Sequence, residues 1–565
     1  MKNKLCELIA NEVKVVTVKD IMPFLEEPSE IKMGDLSLPC FKLAKKLRKS
    51  PTMIAEELKI NLDDKKDRLG LEKIETVNGY LNFFFNKEYY VEKCYMKFQQ
   101  DNLGVQKVGE GKVVCIDYSS PNIAKNFHVG HLRTTIIGNS LYKIHEKLGY
   151  KVVRINHLGD WGTQFGKLIV AYLKWSSKAR VEERGIQELL DIYVRFNEES
   201  KKDENLMNEA RQWFVKMEKN DEMALKIWKW FKEISMKEFQ RVYKMLKMSF
   251  DSYTGESFYR DKVPALVDEL EKKKLIKDSQ GAKVIDLSQY DMPPCLILKN
   301  DGSSIYHSRD IAAVLYRKNT YHFDKCLYVT GMEQMLHFKQ VFKAIELMGY
   351  EWKDSLIHIP YGLVSLAGQK LSSRNGNVIY AEDILNESIA RALKSINEKN
   401  GKLHNKEEVA KKIGVGAIIF HDLSHQRIKN IDFVWDEVLS FDGATGPYVQ
   451  YTYARASSIL RKAGYTTKNQ NINYELLTDD ISYNLIKTLN KYETAVREAG
   501  ECYEPSIIAK YLIRVTSSFN KFYHNCSILQ TEDKVKDARL ALVDVFRKVV
   551  KDGCYLLGME CPEEM

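Results

Sequence analysis

Two stretches of the chain alternate short apolar runs with amphipathic segments, which is the pattern of a β-α-β unit. In the first, residues 112–117 and 151–155 predict buried strands, and apolar positions between them recur at helical spacing until Gly149. The second repeats this order, with strands predicted at 326–330 and 356–364 and a helix at 333–348. Two such units predict an α/β fold with a Rossmann-like, doubly wound parallel sheet, whose ligands bind at the carboxyl ends of the strands.

The chain before and after these units has a different pattern. Residues 1–108 combine helices, one of them starting at Ser50-Pro51, with a β-rich stretch at 74–85, and they predict an additional α/β N-terminal domain. Roughly 150 residues separate the two units, too many for a loop. We therefore predict a catalytic domain at 109–378 with a helical subdomain inserted at about 176–300. A helical stem at 379–440 and an all-α bundle at 441–565 follow, with helices at 481–498 and 536–557.

The 565 residues carry 86 Lys and Arg against 77 Asp and Glu, a net charge of +9, and 44% of them are hydrophobic. This composition is typical of globular proteins and excludes intrinsic disorder. The mild positive charge is compatible with a polyanionic partner but does not require one. No stretch approaches the ~18 apolar residues of a membrane span, and no signal-peptide pattern is visible. We expect a cytoplasmic protein without a membrane partner.

The ten cysteines are scattered, with no C-x-x-C pair and no His/Cys cluster at ligand spacing. Buried reduced thiols are the favoured interpretation. We expect no zinc and no metal site built by side chains alone.

A basic segment at 41–49 places apolar residues on one helical stripe and cationic residues on the rest. Lys45, Lys46 and Lys49 are candidates for a phosphate-binding face. A solvated face without a ligand explains the same pattern equally well.

The main candidate for chemistry lies where the first predicted strand passes to its helix. His128, Gly130 and His131 form an H-x-G-H motif there. A helix N-terminus offers unpaired N–H groups, glycine lets a phosphate or nucleotide approach, and two imidazoles can donate hydrogen bonds to phosphate oxygens. Two histidines that cap the helix or fill the core are the alternative. A polar loop carrying Lys370 and Arg374 would supply further cations to an anionic transition state.

These motifs resemble those of a known family. His128-Val-Gly-His131 resembles the HIGH motif, and Lys370-Leu-Ser-Ser resembles the KMSKS loop, of class I aminoacyl-tRNA synthetases. Four further segments resemble signatures of the arginyl-tRNA synthetase family. They are SPNIAK at 120–125, GDWGTQFG at 159–166, YHSRD at 306–310 and GATGPYVQY at 443–451. The resemblance covers nearly the whole chain.

The resemblance implies an arginine–tRNA ligase, and we expect the protein to be a monomer. It would activate L-arginine with ATP to arginyl-adenylate and pyrophosphate, with Mg²⁺ bound to the triphosphate, and transfer arginine to the 3′ end of tRNA(Arg). It also implies that activation waits for tRNA. An H-x-G-H nucleotidyltransferase of another substrate class is the alternative, although it would not need the first block or the terminal bundle. A non-catalytic RNA-binding relative is a second alternative, against which the intact histidines and lysines argue.

For the substrate arginine, the resemblance implies contacts of the guanidinium with Asp117 and Asp310, with Tyr306 beside them. Paired carboxylate oxygens match the fixed fork of guanidinium donors. The α-amino and carboxylate end would be held by Asn122 and Gln334. Asp310 could instead cap a helix at 311–316, an ordinary position for aspartate.

For ATP, the resemblance implies binding by the H-x-G-H motif together with Gly331, Leu371 and Ser372. Ser373 stands where KMSKS has its second lysine, and Arg374 follows it. Lys125 resembles the residue that replaces the missing charge, so Lys125, Lys370 and Arg374 are the candidate catalytic cations.

For tRNA, the resemblance implies that Tyr448, Tyr451 and Met565 lie near the anticodon loop, where aromatic faces can stack on unpaired bases. Two tyrosines three residues apart on a helix are also an ordinary packing pattern. The N-terminal domain, with its basic helix, would contact the outer corner of the tRNA.

Overall fold

A computed structural model of the chain describes residues 2–28, 30–366, 369–370, 380–466 and 472–565. Its strands are β1 (Leu36–Pro39), β2 (Leu71–Val77), β3 (Tyr80–Phe85), β4 (Val113–Asp117), β5 (Lys151–Ile155), β6 (Ile276–Ser279), β7 (Ala282–Ile285), β8 (Cys295–Leu298), β9 (Lys325–Gly331), β10 (Leu356–Tyr361), β11 (Val364–Leu366), β12 (Gln369–Lys370) and β13 (Ile431–Phe433).

The α-helices up to the end of the second β-α-β unit are α1 (Lys2–Val13), α2 (Val18–Ile21), α3 (Phe41–Leu47), α4 (Pro51–Asp63), α5 (Lys66–Leu69), α6 (Lys87–Gln99), α7 (Val129–Lys147), α8 (Thr163–Trp175), α9 (Lys178–Arg184), α10 (Ile186–Glu199), α11 (Asn205–Glu218), α12 (Glu222–Leu246), α13 (Glu256–Tyr259), α14 (Val263–Lys272), α15 (Tyr306–Tyr321) and α16 (Met335–Leu347). The remaining helices are α17 (Ala381–Asn400), α18 (Lys406–Ser424), α19 (Trp435–Val438), α20 (Gly446–Lys462), α21 (Asp480–Asn490), α22 (Tyr492–Glu501), α23 (Ser506–Asn525) and α24 (Asp533–Leu557).

The chain forms two compact units. The first contains 1–104, 459–491 and 517–546, and the second contains 105–458, 492–516 and 547–565. The domain boundaries predicted from the sequence at 108, 378 and 440 stay predictions.

A parallel four-stranded sheet with the order β10-β9-β4-β5 forms the centre of the second unit. Both predicted β-α-β units are present, so the predicted α/β class is confirmed. The chain moves outward from β4 to β5 in one direction and from β9 to β10 in the other. The strand order therefore reverses between β4 and β9, where a doubly wound sheet opens a crevice for its ligand. Asp117, the last residue of β4, is paired with Tyr328 of β9 at this point.

Apolar packing explains why the sheet forms here. Val114, Cys115 and Ile116 of β4 and Cys326 and Leu327 of β9 are fully buried, as expected for strands covered on both faces. Helix α7 covers one side, beginning at Val129 and ending at Lys147, and Gly149 with φ of +88° reverses the chain after the C-cap Leu148, as predicted.

The predicted insertion is only partly helical. Helices α9 to α14 lie between residues 178 and 272, but the antiparallel strands β6, β7 and β8 follow them. These short strands were not predicted. They are four residues each, so they carry little periodic signal.

In the first unit, β1, β3 and β2 form an antiparallel sheet, which confirms the β-rich stretch at 74–85. Helix α4 begins as predicted, since Ser50 Oγ accepts from the Met53 backbone N–H and Pro51 occupies the first turn. The basic helix α3 is shorter than predicted. It ends at Leu47, and Arg48 takes a left-handed conformation, so Lys49 lies beyond it.

In the described part of the chain, no helix is long and apolar enough to cross a membrane. Eight of the ten cysteines are buried, Cys561 is partly buried, Cys502 is exposed, and all are free thiols. Among the same residues, no three His, Cys, Asp or Glu side chains come together as metal ligands would.

Candidate active site

A cleft of about 1110 Å³ opens at the carboxyl ends of the parallel strands, at the point where their order reverses. Its walls come from the residues after β4 and β5, the start of α7, and the ends of β9 and β10. The structure brings together here the following residues predicted from the sequence: Asp117, Asn122, His128, Gly130, His131, Tyr306, Asp310 and Gln334.

The H-x-G-H motif forms the first turn of α7. His128 is the N-cap, and its Nδ1 accepts a hydrogen bond from the Gly130 N–H at 3.0 Å. The His128 and His131 rings stack with centroids 3.8 Å apart. His131 Nδ1 is buried and makes no hydrogen bond among the described residues. His128 is thus a helix cap, as the alternative interpretation expected, but it also lines the cleft with His131.

Both imidazoles are neutral at physiological pH. Burial, together with the positive charge of Lys125, lowers the pKa of His128 to about 4. Burial also lowers the pKa of His131 well below its ordinary value, with further contributions from His128 and Lys125. A neutral imidazole still donates one N–H, so the pair can bind phosphate oxygens without carrying charge.

Gly130 lies close to the imidazole ring of His128. A Cβ atom at this position would lie 2.9 Å from His128 Cε1. Any larger residue would therefore displace the imidazole or the helix turn.

The loop between β4 and α7 contains three left-handed residues that are not glycine. Ser119, Ser120 and Ala124 have φ values of +72°, +44° and +57°. On one side, the loop pairs with the glycine-rich segment, because the Gly159 N–H donates to the Pro121 carbonyl and Gly159 accepts from the Ile123 N–H. A Cβ at Gly159 would lie only 1.9 Å from Asn122 Oδ1, so this glycine permits the close approach.

The Asp117 carboxylate forms an ion pair with Arg317 of the same chain. Arg317 Nη2 lies 2.8 Å from Asp117 Oδ2, and Ser120 Oγ donates to Asp117 Oδ1 at 2.8 Å. Arg317 is only 1% exposed, and its guanidinium also donates to His157 Nδ1.

Asp310 lies at the other side of the same network. Its carboxylate receives His337 Nε2 at 2.6 Å and lies 3.5 Å from His157 Nε2. Burial alone would raise its pKa, but the hydrogen bond from His337 and the nearby charges of His337, His157 and Arg317 lower the pKa to about 2. The helix-cap alternative for Asp310 is wrong, because α15 begins at Tyr306 and Asp310 lies inside it.

The remaining predicted cleft residues lie at its rim. Tyr306 is 49% exposed and its ring is 5.1 Å from that of His337. Gln334 is exposed in a short 3-10 turn that follows β9. Gly331 ends β9, and a Cβ there would meet the Glu333 carboxylate.

The sequence analysis missed several residues of the cleft. Arg317, His157 and His337 orient the two aspartates, and Glu256 lines the cleft and pairs with Arg309 at 2.8 Å. Burial raises the pKa of Glu256 to about 7, against the effect of Arg309. His157 follows β5 by two residues, a position at the strand's carboxyl end that could have identified it.

The candidate cations are only partly described. Lys125 is exposed beside the motif. Lys370 ends β12, whose backbone pairs with β11, while Leu371, Ser372 and Arg374 lie outside the described residues.

The residues implied in anticodon contact lie on or near α20. Tyr451 is 42% exposed with the Arg455 guanidinium 4.8 Å from its ring centroid, whereas Tyr448 is half-buried. Met565 packs against a small core formed by α17 and α18.

The lysines implied in contact with the outer corner of the tRNA lie in the first unit. Lys46 pairs with Asp20 at 2.9 Å and Lys49 pairs with Glu57 at 2.6 Å. Two of the three charges therefore already have local partners.

Three family models match successive parts of the chain. The model described as tRNA synthetases class I (R), catalytic domain, matches residues 95–435. The Arginyl tRNA synthetase N terminal domain matches residues 3–85, and the DALR anticodon binding domain matches residues 449–565. A small nucleotidyltransferase would need neither terminal domain, so that alternative is excluded.

Curated relatives and solved structures agree with these matches. The arginine–tRNA ligase of Alkaliphilus metalliredigens is 49% identical over 568 residues, covering 100% of this chain and 99% of that protein. That of Clostridium beijerinckii is 49% identical over 100% of both chains. The arginyl-tRNA synthetase structures of Thermus thermophilus and Plasmodium falciparum are each 26% identical and cover 100% of this chain and 100% and 99% of theirs, with TM-scores of 0.82 and 0.80. The chain therefore belongs to the arginyl-tRNA synthetase family and has the activity of an arginine–tRNA ligase.

Proposed function

We propose that the cleft binds the substrate arginine with its guanidinium directed at Asp117 and Asp310 and with Tyr306 beside it. The observation that carries this assignment is the convergence of two carboxylates and two imidazoles on one cleft. A guanidinium has five donors in a fixed fork, which paired carboxylate oxygens match best. Asn122 and Gln334 then hold the α-amino and carboxylate end.

The two aspartates have unequal roles in this proposal. Arg317 and Ser120 already engage Asp117, whereas the Asp310 carboxylate accepts from His337 and lies 3.5 Å from His157. We assign the larger share of guanidinium recognition to Asp310. Asp117 with Arg317 then fixes the floor of the pocket.

ATP binds at the start of α7 in this assignment. The positive end of the helix and the imidazoles of His128 and His131 attract phosphate oxygens, and Gly130, whose N–H is already bonded to His128 Nδ1, leaves room for the nucleotide to approach. Gly331 accommodates the nucleotide, together with Leu371 and Ser372 outside the described residues. Because both imidazoles are neutral, the positive charge comes from Lys125, Lys370 and Arg374.

The reaction proceeds in two displacements. A carboxylate oxygen of arginine attacks the α-phosphorus of ATP, and the bond to pyrophosphate breaks. The 2′-OH of the terminal adenosine of the tRNA then attacks the activated carbonyl, and AMP leaves. The protein contributes orientation and charge stabilisation, which are the main demands of phosphoryl chemistry.

Mg²⁺ enters this scheme as part of the ATP substrate. The side chains fit no resident metal, because within the described ranges no three candidate ligands come together. In addition, Arg317 pairs with Asp117 and His337 bonds Asp310. Magnesium commonly keeps several waters and binds through substrate phosphates, which suits such a site.

For tRNA(Arg), we assign Tyr448, Tyr451 and Met565 to the anticodon side, where the exposed ring of Tyr451 can stack on a base. Lys45, Lys46 and Lys49 are assigned to the outer corner of the RNA.

We also propose that the chain acts as a cytoplasmic monomer with domains bounded at 108, 378 and 440. The N-terminal match at 3–85 ends before 108 and the anticodon-binding match at 449–565 begins after 440, while the catalytic match at 95–435 starts before 108 and continues across 378 into the proposed stem. Light scattering at micromolar protein should give the 65.6 kDa of one chain.

The assignment is tested by exchange of labelled pyrophosphate into ATP with saturating tRNA. Arginine should support exchange, whereas lysine, citrulline and no amino acid should not, because none of them supplies the charged fork of donors that matches the two carboxylates. Comparable exchange with citrulline would contradict the guanidinium pocket.

A further inference from the structure

Helix α12 of the insertion lies along the loop that joins β4 to α7. Residues on one of its faces, at positions 228, 232, 235, 239 and 243, all contact active-site segments. Trp228 Nε1 donates to the Asp160 carbonyl at 2.8 Å, and Lys232 Nζ lies 2.6 Å from the Asp160 carboxylate. These bonds fix the helix to the segment that carries Gly159.

The same face continues along the loop. The Phe239 and Tyr243 rings pack on Phe127, with centroids 5.9 Å and 5.6 Å away. The Tyr243 hydroxyl lies 2.8 Å from Ser119 Oγ and receives the Asn156 amide at 2.9 Å. Both ring packing and hydrogen bonds therefore join α12 to the loop.

Ser235, in the middle of this face, contacts the loop at one of its three left-handed residues, Ala124. The Ala124 N–H donates to Ser235 Oγ at 2.8 Å, and the Ser235 hydroxyl donates its own proton to the Phe231 carbonyl. Ser235 is fully buried, so water does not compete for this bond. Ala124 has φ of +57°, a left-handed conformation that alanine disfavours.

The conformation of Ala124 sets the direction of the next residue. Lys125 follows it directly, and the charge of Lys125 reaches both imidazoles, where it contributes to their lowered pKa values. If Ala124 relaxed to a right-handed or extended conformation, the chain would leave the loop in another direction. Lys125 would then point away from the start of α7.

We propose that Ser235 is a positioning residue for arginine activation, whose hydroxyl holds Ala124 in its left-handed conformation and so directs Lys125 at the phosphate site. This inference rests on the proposed role of Lys125. It gives the inserted helix a part in the chemistry that is separate from any contact with RNA.

The first test is the Ser235→Ala variant in arginine-dependent pyrophosphate exchange with saturating tRNA. We expect kcat to fall about tenfold while the KM values for arginine and ATP stay within about twofold, because only a charge acting in the transition state is lost. Ser388→Ala is the matched control, a fully buried helical serine whose hydroxyl also bonds a carbonyl, and it should keep wild-type kcat. Unchanged kcat in Ser235→Ala would overturn the proposal.

The Ser235→Cys variant guards against a folding defect, since a thiol fills the site but accepts hydrogen bonds weakly. A kcat between those of wild type and Ser235→Ala, with an unchanged melting temperature, is expected. A wild-type kcat in this variant would count against the proposal.

Conformational rescue separates positioning from general packing. Glycine adopts backbone conformations with positive φ about as readily as those with negative φ. The double variant Ser235→Ala/Ala124→Gly should therefore have a kcat several times that of Ser235→Ala alone. No recovery would overturn the proposed role of the Ala124 conformation.

A double-mutant cycle with Lys125→Ala closes the argument. If Ser235 acts through Lys125, its substitution should lower kcat by less than about twofold once Lys125 is gone. Fully additive losses would overturn the inference and leave the role of Lys125 intact. Unchanged exchange in Lys125→Ala alone would instead overturn the proposed function of that lysine.

Discussion

Among single residues, Asp310 carries the clearest expectation. The Asp310→Asn variant keeps the shape of the side chain but removes the charge that pairs with a guanidinium. A buried charge-assisted hydrogen bond contributes about 2 to 3 kcal/mol, so the KM for arginine should rise roughly 30-fold to 150-fold. The KM for ATP should change little.

Steady-state exchange kinetics at varied arginine would measure this effect. Asp544→Asn is a suitable control, because Asp544 is 3% exposed and lies outside the cleft. An arginine KM near the wild-type value in Asp310→Asn would exclude Asp310 as the main guanidinium partner.

Glu256 should give the arginine KM a dependence on pH. Burial raises the pKa of this carboxyl to about 7, while Arg309 opposes the shift and the acids Asp310 and Asp160 add to it. Below pH 7 Glu256 is mainly protonated, and above it the carboxylate adds a negative charge that attracts the cationic substrate. The KM for arginine should therefore fall severalfold, about three to ten times, as the pH rises from about 6 to 8.

In the Glu256→Gln variant the arginine KM should stay at its high, low-pH value throughout this pH range. Exchange assays at constant ionic strength would measure the arginine KM at each pH. His128, with a pKa of about 4, and Asp310, with a pKa of about 2, keep one protonation state throughout this range. A profile that persists in Glu256→Gln would assign the titration to another group.

The residues that could be predicted from the sequence are those in contiguous motifs. His128, Gly130 and His131 follow from their place at a strand-to-helix junction, whereas Asp117 was implied by the resemblance of its segment to the family. Arg317, His157 and His337 could not be found this way, because each lies on a different element and they meet only through the fold. A pairwise ion contact across about 200 residues leaves no local pattern.

For the helices and strands, the sequence periodicity predicted where each element lies better than the residues at which it begins and ends. The predicted helix at 481–498 is two helices, α21 and α22, which meet at Lys491. Buried residues continue at helical spacing across the break, so the pattern alone cannot reveal it. The start of α15 was missed because its N-cap is Ile305, and the capping hydroxyl comes from Ser308 instead.

The lysines of helix α3 and Lys49 beyond it are expected to contribute unequally to RNA binding. Lys46 and Lys49 already pair with Asp20 and Glu57, whereas Lys45 makes no ion pair within the residues that the structure describes. A lysine with a local partner releases fewer counterions when it meets a phosphate. Lys45→Gln should therefore lower the slope of log Kd against log salt by about one, and Lys46→Gln by less.

Filter binding of tRNA between about 50 and 200 mM salt would measure these slopes. The arginine KM at saturating tRNA should stay constant in both variants. The substituted lysines belong to the first compact unit, whereas the residues of the cleft belong to the second. Equal slopes in wild type and in a variant lacking all three lysines would favour the solvated-face interpretation.

At the scale of the whole molecule, the expected need for tRNA in activation requires a route from the helical C-terminal part to the cleft. Arg427 provides such a route within the second unit. Its Nη1 donates to the Pro360 carbonyl at 2.7 Å in β10, and its Nε donates to the Tyr503 carbonyl at 3.0 Å in the turn after α22. β10 leads directly to the strands that carry Lys370.

We expect Arg427→Ala to reduce tRNA-stimulated exchange about tenfold while leaving tRNA affinity within about threefold, since coupling energies between sites are typically about 1 to 3 kcal/mol. Exchange and filter binding on the same preparation would measure both. Arg391→Ala, which removes an exposed ion pair with Glu387, is the control. Equal losses of affinity and exchange would mean that Arg427 supports binding and not coupling.

The contact between Gly130 and the His128 ring has a consequence for how substitutions in this motif combine. Because the space that a methyl group at 130 would need is filled by the imidazole, the cost of Gly130→Ala depends on which residue stands at 128. The two positions are epistatic: alanine at 130 is harmful beside histidine and better accommodated beside a small residue. A library that varies them one at a time would find only histidine and glycine, although the steric constraint belongs to the pair.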